Sequence, residues 1–415
     1  MYANVLCANL SLIPGFNELN IKDENISDIL KLNKVECKTS ENTKYKVIRY
    51  DKNILSADLV STYGLCRSII VNSDNKVVSF SPPKSISADS FIRLNPDKTE
   101  NIIVEEFVEG TMINVFWDKK IGLAGGWEIA TRNTVGATSS FYKSTHTKTF
   151  RTMFLDAASE NNISLEKLNP QYSYSFVLQH PENRIVVPFS KAQLYLVGMY
   201  FIDNSEINNI RVYIVDMVEA RKFNWFDANI KFPQFYEWNT YSELIEKYAS
   251  MNTSYNIMGV VLYNRTMGYR TKIRNPVYEE VRNLRGNQPK LQYQYLSLRK
   301  EGKVADFLKF YPENKKDFST FRDQLHLFTN TLFANYVSCY IKKEKPLLEF
   351  SEQYRTHMFN LHKKYMNELR EKKWFVTNTV VINYVNELPT SLLMYCLNYQ
   401  FRKRNVDLLK AETPI

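Results

Sequence analysis

Thiols, imidazoles and cations are the side chains of this 415-residue sequence whose types and spacing could do chemistry. Cys7, Cys37, Cys66, Cys339 and Cys396 are scattered, with no two at the spacing of a metal-binding pair. His357 and His362 stand five apart, so they do not share a helix face as an i, i+4 ligand pair would. No metal site is expected from either set, and an odd number of scattered thiols suits a reducing compartment better than a disulfide framework. The cations are unevenly placed. The formal net charge is +10, and from Gly286 onward 21 Lys and Arg face 13 Asp and Glu, so most of the excess lies in the last third. Such a region suits an acidic partner, namely RNA, DNA or an anionic surface, or else is simply a well-solvated helical face.

The elements that must position these residues change character along the chain. Up to about residue 285, runs rich in Val, Ile, Tyr and Phe recur between Asn, Asp, Gly and Ser turns: Lys76–Phe80, Ile102–Trp117, Ala192–Ile202 and Ile210–Val215. The pattern predicts strands, with helices over Thr147–Ser159 and Ile21–Leu32. Strands with occasional helices imply an α+β domain built on antiparallel sheets. After Arg285-Gly286-Asn287-Gln288-Pro289 only Gly286 and Gly302 remain as glycines. Phe321, Leu325, Phe328, Leu332 and Tyr336 form one helical stripe, and Tyr354, Met358, Leu361, Tyr365 and Leu369 form another. An all-helical C-terminal domain follows. The expected organisation is an extension over 1–60, a mixed domain over 61–287, the helical domain over 288–405 and a loose tail over 406–415. The N-terminus has no basic n-region, so no signal peptide is expected, and no apolar run has the length of a bilayer span.

One segment is more informative. Asn101–Tyr142 contains Phe107-Val108-Glu109-Gly110-Thr111 and, further on, Thr131-Arg132-Asn133. Upstream lie Leu65-Cys66-Arg67-Ser68-Ile69-Ile70 and Pro83-Lys84-Ser85. Downstream lie Tyr174-Ser175-Phe176-Val177-Leu178, Pro181-Glu182-Asn183-Arg184-Ile185-Val186, Met258-Gly259-Val260-Val261-Leu262 and Arg270-Thr271-Lys272. In order and spacing this series resembles the nucleotidyltransferase motifs of the ATP-dependent RNA ligases, in the form found in phage and large DNA viruses. The resemblance implies the fold of that family's nucleotidyltransferase (adenylation) domain, followed by the helical domain. It also implies that Arg67, Lys84, Arg132, Arg270 and Lys272 stand at positions that touch nucleotide or phosphate in active relatives.

The departures fall on the chemistry. Where the family presents the lysine that attacks the α-phosphate of ATP, this chain has Phe107, which offers no amine lone pair. Two glutamates that the family uses for nucleotide and metal are Val177 and Met258, neither of which offers an oxygen to a hard cation. Replacing a whole ionic cluster by apolar groups avoids stranding a buried charge, so these three residues are expected to meet as core. The reading is a catalytically inactive relative, a pseudoenzyme with no catalytic residue, metal or cofactor. It would act as a binding or structural subunit with RNA or protein assembly partners, in the cytoplasm or packaged in a virion, and without membrane insertion. The five cations would either hold an anion or make salt bridges to Glu105, Glu106 or Glu109. The alternative is an active ligase in which Lys84 or Lys272 serves as a displaced nucleophile and ATP and Mg²⁺ return as its requirements.

Overall fold

In a computed structural model the structure describes residues 6–21, 32–38, 43–141, 147–206 and 208–402. Two compact units divide the chain, Met1–Arg282 and Asn283–Ile415.

The first unit is built from three antiparallel sheets. Its strands are β1 (Leu6–Asn9), β2 (Leu32–Lys38), β3 (Lys44–Tyr50), β4 (Ile69–Val71), β5 (Val77–Ser79), β6 (Ile102–Glu106), β7 (Thr111–Asp118), β8 (Gly126–Ala130), β9 (Tyr172–Gln179), β10 (Gln193–Asp203), β11 (Arg211–Ile214), β12 (Gly259–Asn264) and β13 (Arg270–Arg274). The sheet orders are β1-β11-β10-β9-β7-β8, β2-β3-β4-β5 and β13-β12-β6. Residues before 60 are woven into this unit, since β1 pairs with β11 and β3 with β4.

The helices that pack on these sheets include α1 (Ala88–Leu94), α2 (Phe150–Glu160) and α3 (Tyr241–Tyr248). Hydroxyl caps start all three, with Ser87 accepting from Ser90 N, Thr149 from Thr152 N and Thr240 from Glu243 N. Burial follows from the layers. Strand β9 is buried on both faces from Ser173 to Leu178, as befits a central strand covered on two sides. On one side Phe176, Leu178 and Leu194 join a core with Phe154 and Ala157 of α2. On the other, Tyr200 and Val212 meet Ile48 and Ile69 of the four-stranded sheet and Phe80 just beyond its last strand. The three-stranded sheet buries Val104, Val260 and Leu262 against Phe91 of α1 and Leu244 of α3.

The run Ile102–Trp117 is two strands, broken where Phe107–Gly110 turns between β6 and β7. The predicted helix over Thr147–Ser159 begins later, at Phe150, because Thr149 is its cap. The helix expected over Ile21–Leu32 lies mostly outside the described residues, as does the tail over 406–415. Leu32 itself opens a strand.

The second unit is helical. Its described helices include α4 (Leu291–Lys300), α5 (Val304–Phe310), α6 (Lys315–Tyr336), α7 (Glu352–Lys364), α8 (Asn378–Glu387) and α9 (Thr390–Leu397). The first predicted stripe lies on α6 and buries Leu325, Phe328, Leu332 and Tyr336. Phe307 and Phe318 stack at 4.9 Å. Buried His357 is satisfied on both nitrogens, by Tyr384 Oη at 2.8 Å and Cys396 Sγ at 3.1 Å. No described helix is long and apolar enough to cross a membrane.

Candidate phosphate-binding site

The turn after β6 is held from several sides. Phe107 N donates to Gly259 O at 3.3 Å, which carries the pairing with β12 one residue past the strand. Gly110 sits at φ +149°, and a Cβ there would come within 2.4 Å of Leu178 O and 2.7 Å of Val177 Cγ1. Only glycine fits that approach. Gly259 is at φ +124°, and a Cβ there would lie 2.1 Å from Ile273 O. Residue 107 therefore adjoins the backbone after Met258, and the turn presses on Val177. Phe107 and Val177 are buried, while Met258 is half-buried.

Glu109 belongs to the scaffold. Its carboxylate accepts from Val186 N at 2.7 Å and from Val187 N at 3.1 Å, and Asn183 Nδ2 donates to Thr111 Oγ1 at 2.8 Å. Burial raises the Glu109 carboxyl above its ordinary range, and those backbone donors oppose the rise. Glu106 accepts from Gln234 N at 3.2 Å.

The five candidate cations converge beside this turn. Arg270 and Lys272 alternate along β13, so their side chains share a face, and Arg274 extends the row. The segment bearing Lys84 runs alongside: Ile86 N donates to Arg270 O, and Thr271 Oγ1 to Ile86 O, both at 2.9 Å. Lys84 N donates to Gly64 O at 2.9 Å. Arg67 Nη1 reaches Pro82 O, and Arg132 Nε reaches Arg67 O, each at 3.4 Å. Lys272 Nζ lies 4.4 Å from the centroid of the Phe107 ring and Arg274 Cζ 5.3 Å from it. The Phe107 ring is thus faced by two cations. Arg274 was missed in the sequence, although its place two residues beyond Lys272 on a strand was the available signal.

None of Arg67, Lys84, Arg132, Arg270 and Lys272 makes an ion pair among the described residues, whereas Arg274 pairs with Glu279 at 2.6 Å. Arg270 Nη1 is buried without a hydrogen-bond partner. The electrostatics record this crowding. Burial, followed by the charges of Arg270, Arg67, Arg274 and Lys84, pushes the Lys272 amine down to about 5. Arg67 falls to about 10 through burial and then Arg270 and Arg132. Lys84 is lowered by burial, Arg67, Arg274 and Arg132. Arg270 is lowered by burial, and Glu105 is the main charge opposing it. Glu105 is itself buried and raised to about 7.

Five cations packed this closely without an ion-pair partner among the described residues are complementary to an anion of several charges. Arginine forks suit phosphate oxygens, and a lysine adds a point charge. The donor set does not suit a divalent metal. Positions 177 and 258 carry no oxygen, Glu109 is committed to backbone amides, and the described residues contain no group of three or more His, Cys, Asp or Glu able to hold an ion.

Comparison with known proteins agrees with the motifs. No family model matches the chain. A curated protein, the RNA ligase of Rhodothermus phage RM378, is 25% identical over 305 residues, covering 65% of this chain and 65% of the relative. The chain therefore matches slightly less than two thirds of that relative's length. Solved structures with some likeness include an archaeal ATP-dependent RNA ligase, at 12% identity and TM-score 0.38 over 70% of this chain and 72% of the other. A Naegleria gruberi RNA ligase mutant with ATP and Mn gives 13% identity and TM-score 0.35 over 49% and 58%. In its sequence, the chain is similar to a curated phage RNA ligase.

Proposed function

We propose that this chain is a non-ligating relative of the RNA ligases that holds phosphate groups of RNA or nucleotide without forming a covalent bond to them. The observation that carries the reading is the meeting of five cations, without ion-pair partners among the described residues, one of which, Lys272, faces a phenylalanine where a nucleophilic amine is expected. Retention of the anion-holding residues together with replacement of the amine and both carboxylates suits binding without chemistry. Its role would be that of a binding or assembly subunit on RNA or a protein partner, in the cytoplasm or packaged in a virion. The phage source of the relative is consistent with the latter.

Calorimetric titration with inorganic pyrophosphate, ATP and a 5′-phosphorylated RNA oligonucleotide tests this. Saturable binding that weakens steeply with salt is expected. An Arg67→Ala/Lys84→Ala variant should bind about tenfold more weakly or worse, since a charge-assisted hydrogen bond contributes about 1.5–3 kcal/mol. Absence of binding to all three at low salt would remove the reading.

The depressed amine of Lys272 favours a second reading, in which this amine rather than residue 107 attacks ATP. A nitrogen–phosphorus bond would form at the α-phosphate, pyrophosphate would leave with the electron pair of the broken P–O bond, and the amine would lose its proton. The physical objection is that a triphosphate in the cluster restores charge to Lys272 and so withdraws the lone pair it needs.

A further inference from the structure

The second unit carries a basic surface of its own. Helices α6 and α7 end in the same way. Each passes into a π turn, Val337–Ile341 after α6 and Tyr365–Leu369 after α7. The two ends lie together, because Tyr340 stacks on His362 at 4.0 Å with the rings 8° apart, and Tyr365 lies 6.0 Å from the same imidazole. Wide turns of this kind inside or at the end of α-helices are frequent at functional sites. Beyond each turn the chain leaves through a similar run, Ile341-Lys342-Lys343-Glu344-Lys345 in one case and Arg370-Glu371-Lys372-Lys373-Trp374-Phe375 in the other. Lys343 and Lys373 both adopt φ +56°.

The second exit is the more telling. Its backbone is fixed, with Lys373 N donating to Arg370 O at 3.0 Å and Trp374 N to Leu369 O at 2.9 Å. Trp374 and Phe375 are nevertheless 60% and 67% exposed, and Lys372 Nζ lies 5.4 Å over the indole. Lysines at a helix C-terminus answer the helix dipole, and a single exposed aromatic needs no explanation. Two consecutive aromatic rings held out to solvent beyond the helix are not covered by either account. Nor does an ion pair hold Lys343, Lys363, Lys364, Lys372 or Lys373 among the described residues, whereas Glu344 is taken by Ser338 at 2.6 Å and Lys342 at 3.5 Å.

We propose that this end of the helical unit is a docking surface for single-stranded RNA, with Trp374 and Phe375 stacking on bases while the lysines of the two exits meet phosphates. Fixed aromatic rings interleaved with cations are the arrangement that binds unpaired nucleotides, whose faces are free to stack. The choice of RNA rather than DNA rests on the function proposed above; the stacking site does not. A membrane surface would call for a broad apolar helix face, and α7 instead ends on Lys363 and Lys364 just before exposed Met366.

Fluorescence anisotropy of a labelled twelve-nucleotide single-stranded RNA (length about that of one binding site) with the full chain tests the proposal. Trp374→Ala/Phe375→Ala should weaken binding about tenfold or more with little change in salt dependence. Lys372→Gln/Lys373→Gln should lower the salt slope by about two. Duplex RNA should bind more weakly than the single strand. All four side chains are exposed, so circular dichroism should show that the variants keep their helices. The proposal is overturned if the aromatic variant binds like the wild type, if only Arg67→Ala/Lys84→Ala weakens the RNA, or if anionic lipid vesicles or an acidic peptide bind in place of RNA. Retained pyrophosphate binding in the aromatic variant separates a failure here from a failure of the cluster beside Phe107.

Discussion

The two units both gather positive charge, but they hold it under different physical conditions. Beside Phe107 the cations share a partly desolvated space, and the free protein sheds the proton of Lys272 instead of keeping the charge. At the exits of α6 and α7 the lysines stand in water, where repulsion is screened beyond about 8 Å at physiological salt. Crowded charge is costly to the free protein and therefore says more about a missing ligand. Dispersed surface charge costs little, and there the fixed aromatic rings carry the information.

The largest expected effect concerns the turn that builds the crowded site. Gly110→Ala should destabilise the protein by about 4 kcal/mol, combining backbone strain with overlap on Leu178 O and Val177. Thermal unfolding checks this, and an unchanged melting temperature would break the account of the turn. Next is Phe107→Lys, which adds an amine against Lys272 and Arg274. A loss of about 3 kcal/mol is expected, partly restored by pyrophosphate. No AMP adduct should form in this variant, because residues 177 and 258 still lack carboxylates. An adduct would show that the amine alone was missing.

A third effect is on pH dependence. The folded value of about 5 for Lys272 lies below the ordinary 10.5. Between these values the unfolded chain binds more protons than the folded one, so this residue makes stability rise with pH across that window. Anion binding restores the proton. Affinity for pyrophosphate should therefore increase as pH falls from about 8 towards 5, with proton uptake measurable by titration in buffers of different ionisation enthalpy. Lys272→Met should bind about tenfold more weakly at a pH of about 6 and lose its share of the pH dependence. Smallest is His357→Asn in the helical unit, where the loss of a paired core imidazole should cost about 1–2 kcal/mol in urea unfolding without altering pyrophosphate binding.

Much of this was legible in the sequence where a local rule applied. Runs rich in Val, Ile, Tyr and Phe between turn residues located β10 and β11, and the four-three-four spacing from Phe321 located α6. The convergence of Arg67, Lys84, Arg132, Arg270 and Lys272 was readable only through the order of the motifs, since residues about 200 positions apart have no common periodicity. The break at Phe107–Gly110 hid within a continuous β-rich run, because Gly110 is demanded by the close approach of Leu178, a long-range fact. The place of Glu109 was not legible for the same reason: its carboxylate accepts from the backbone amides of Val186 and Val187, which no side-chain pattern announces. The two π turns leave no trace in the apolar stripe that runs from Tyr354 to Leu369.

The central claim is that phosphate is held here and not joined to the protein. Incubating the wild-type chain with ATP labelled at its α-phosphate, in the presence of Mg²⁺ or Mn²⁺, and resolving the product on a denaturing gel tests it most directly. An unlabelled protein band is the expected result, and a labelled band abolished by Lys272→Met would contradict it.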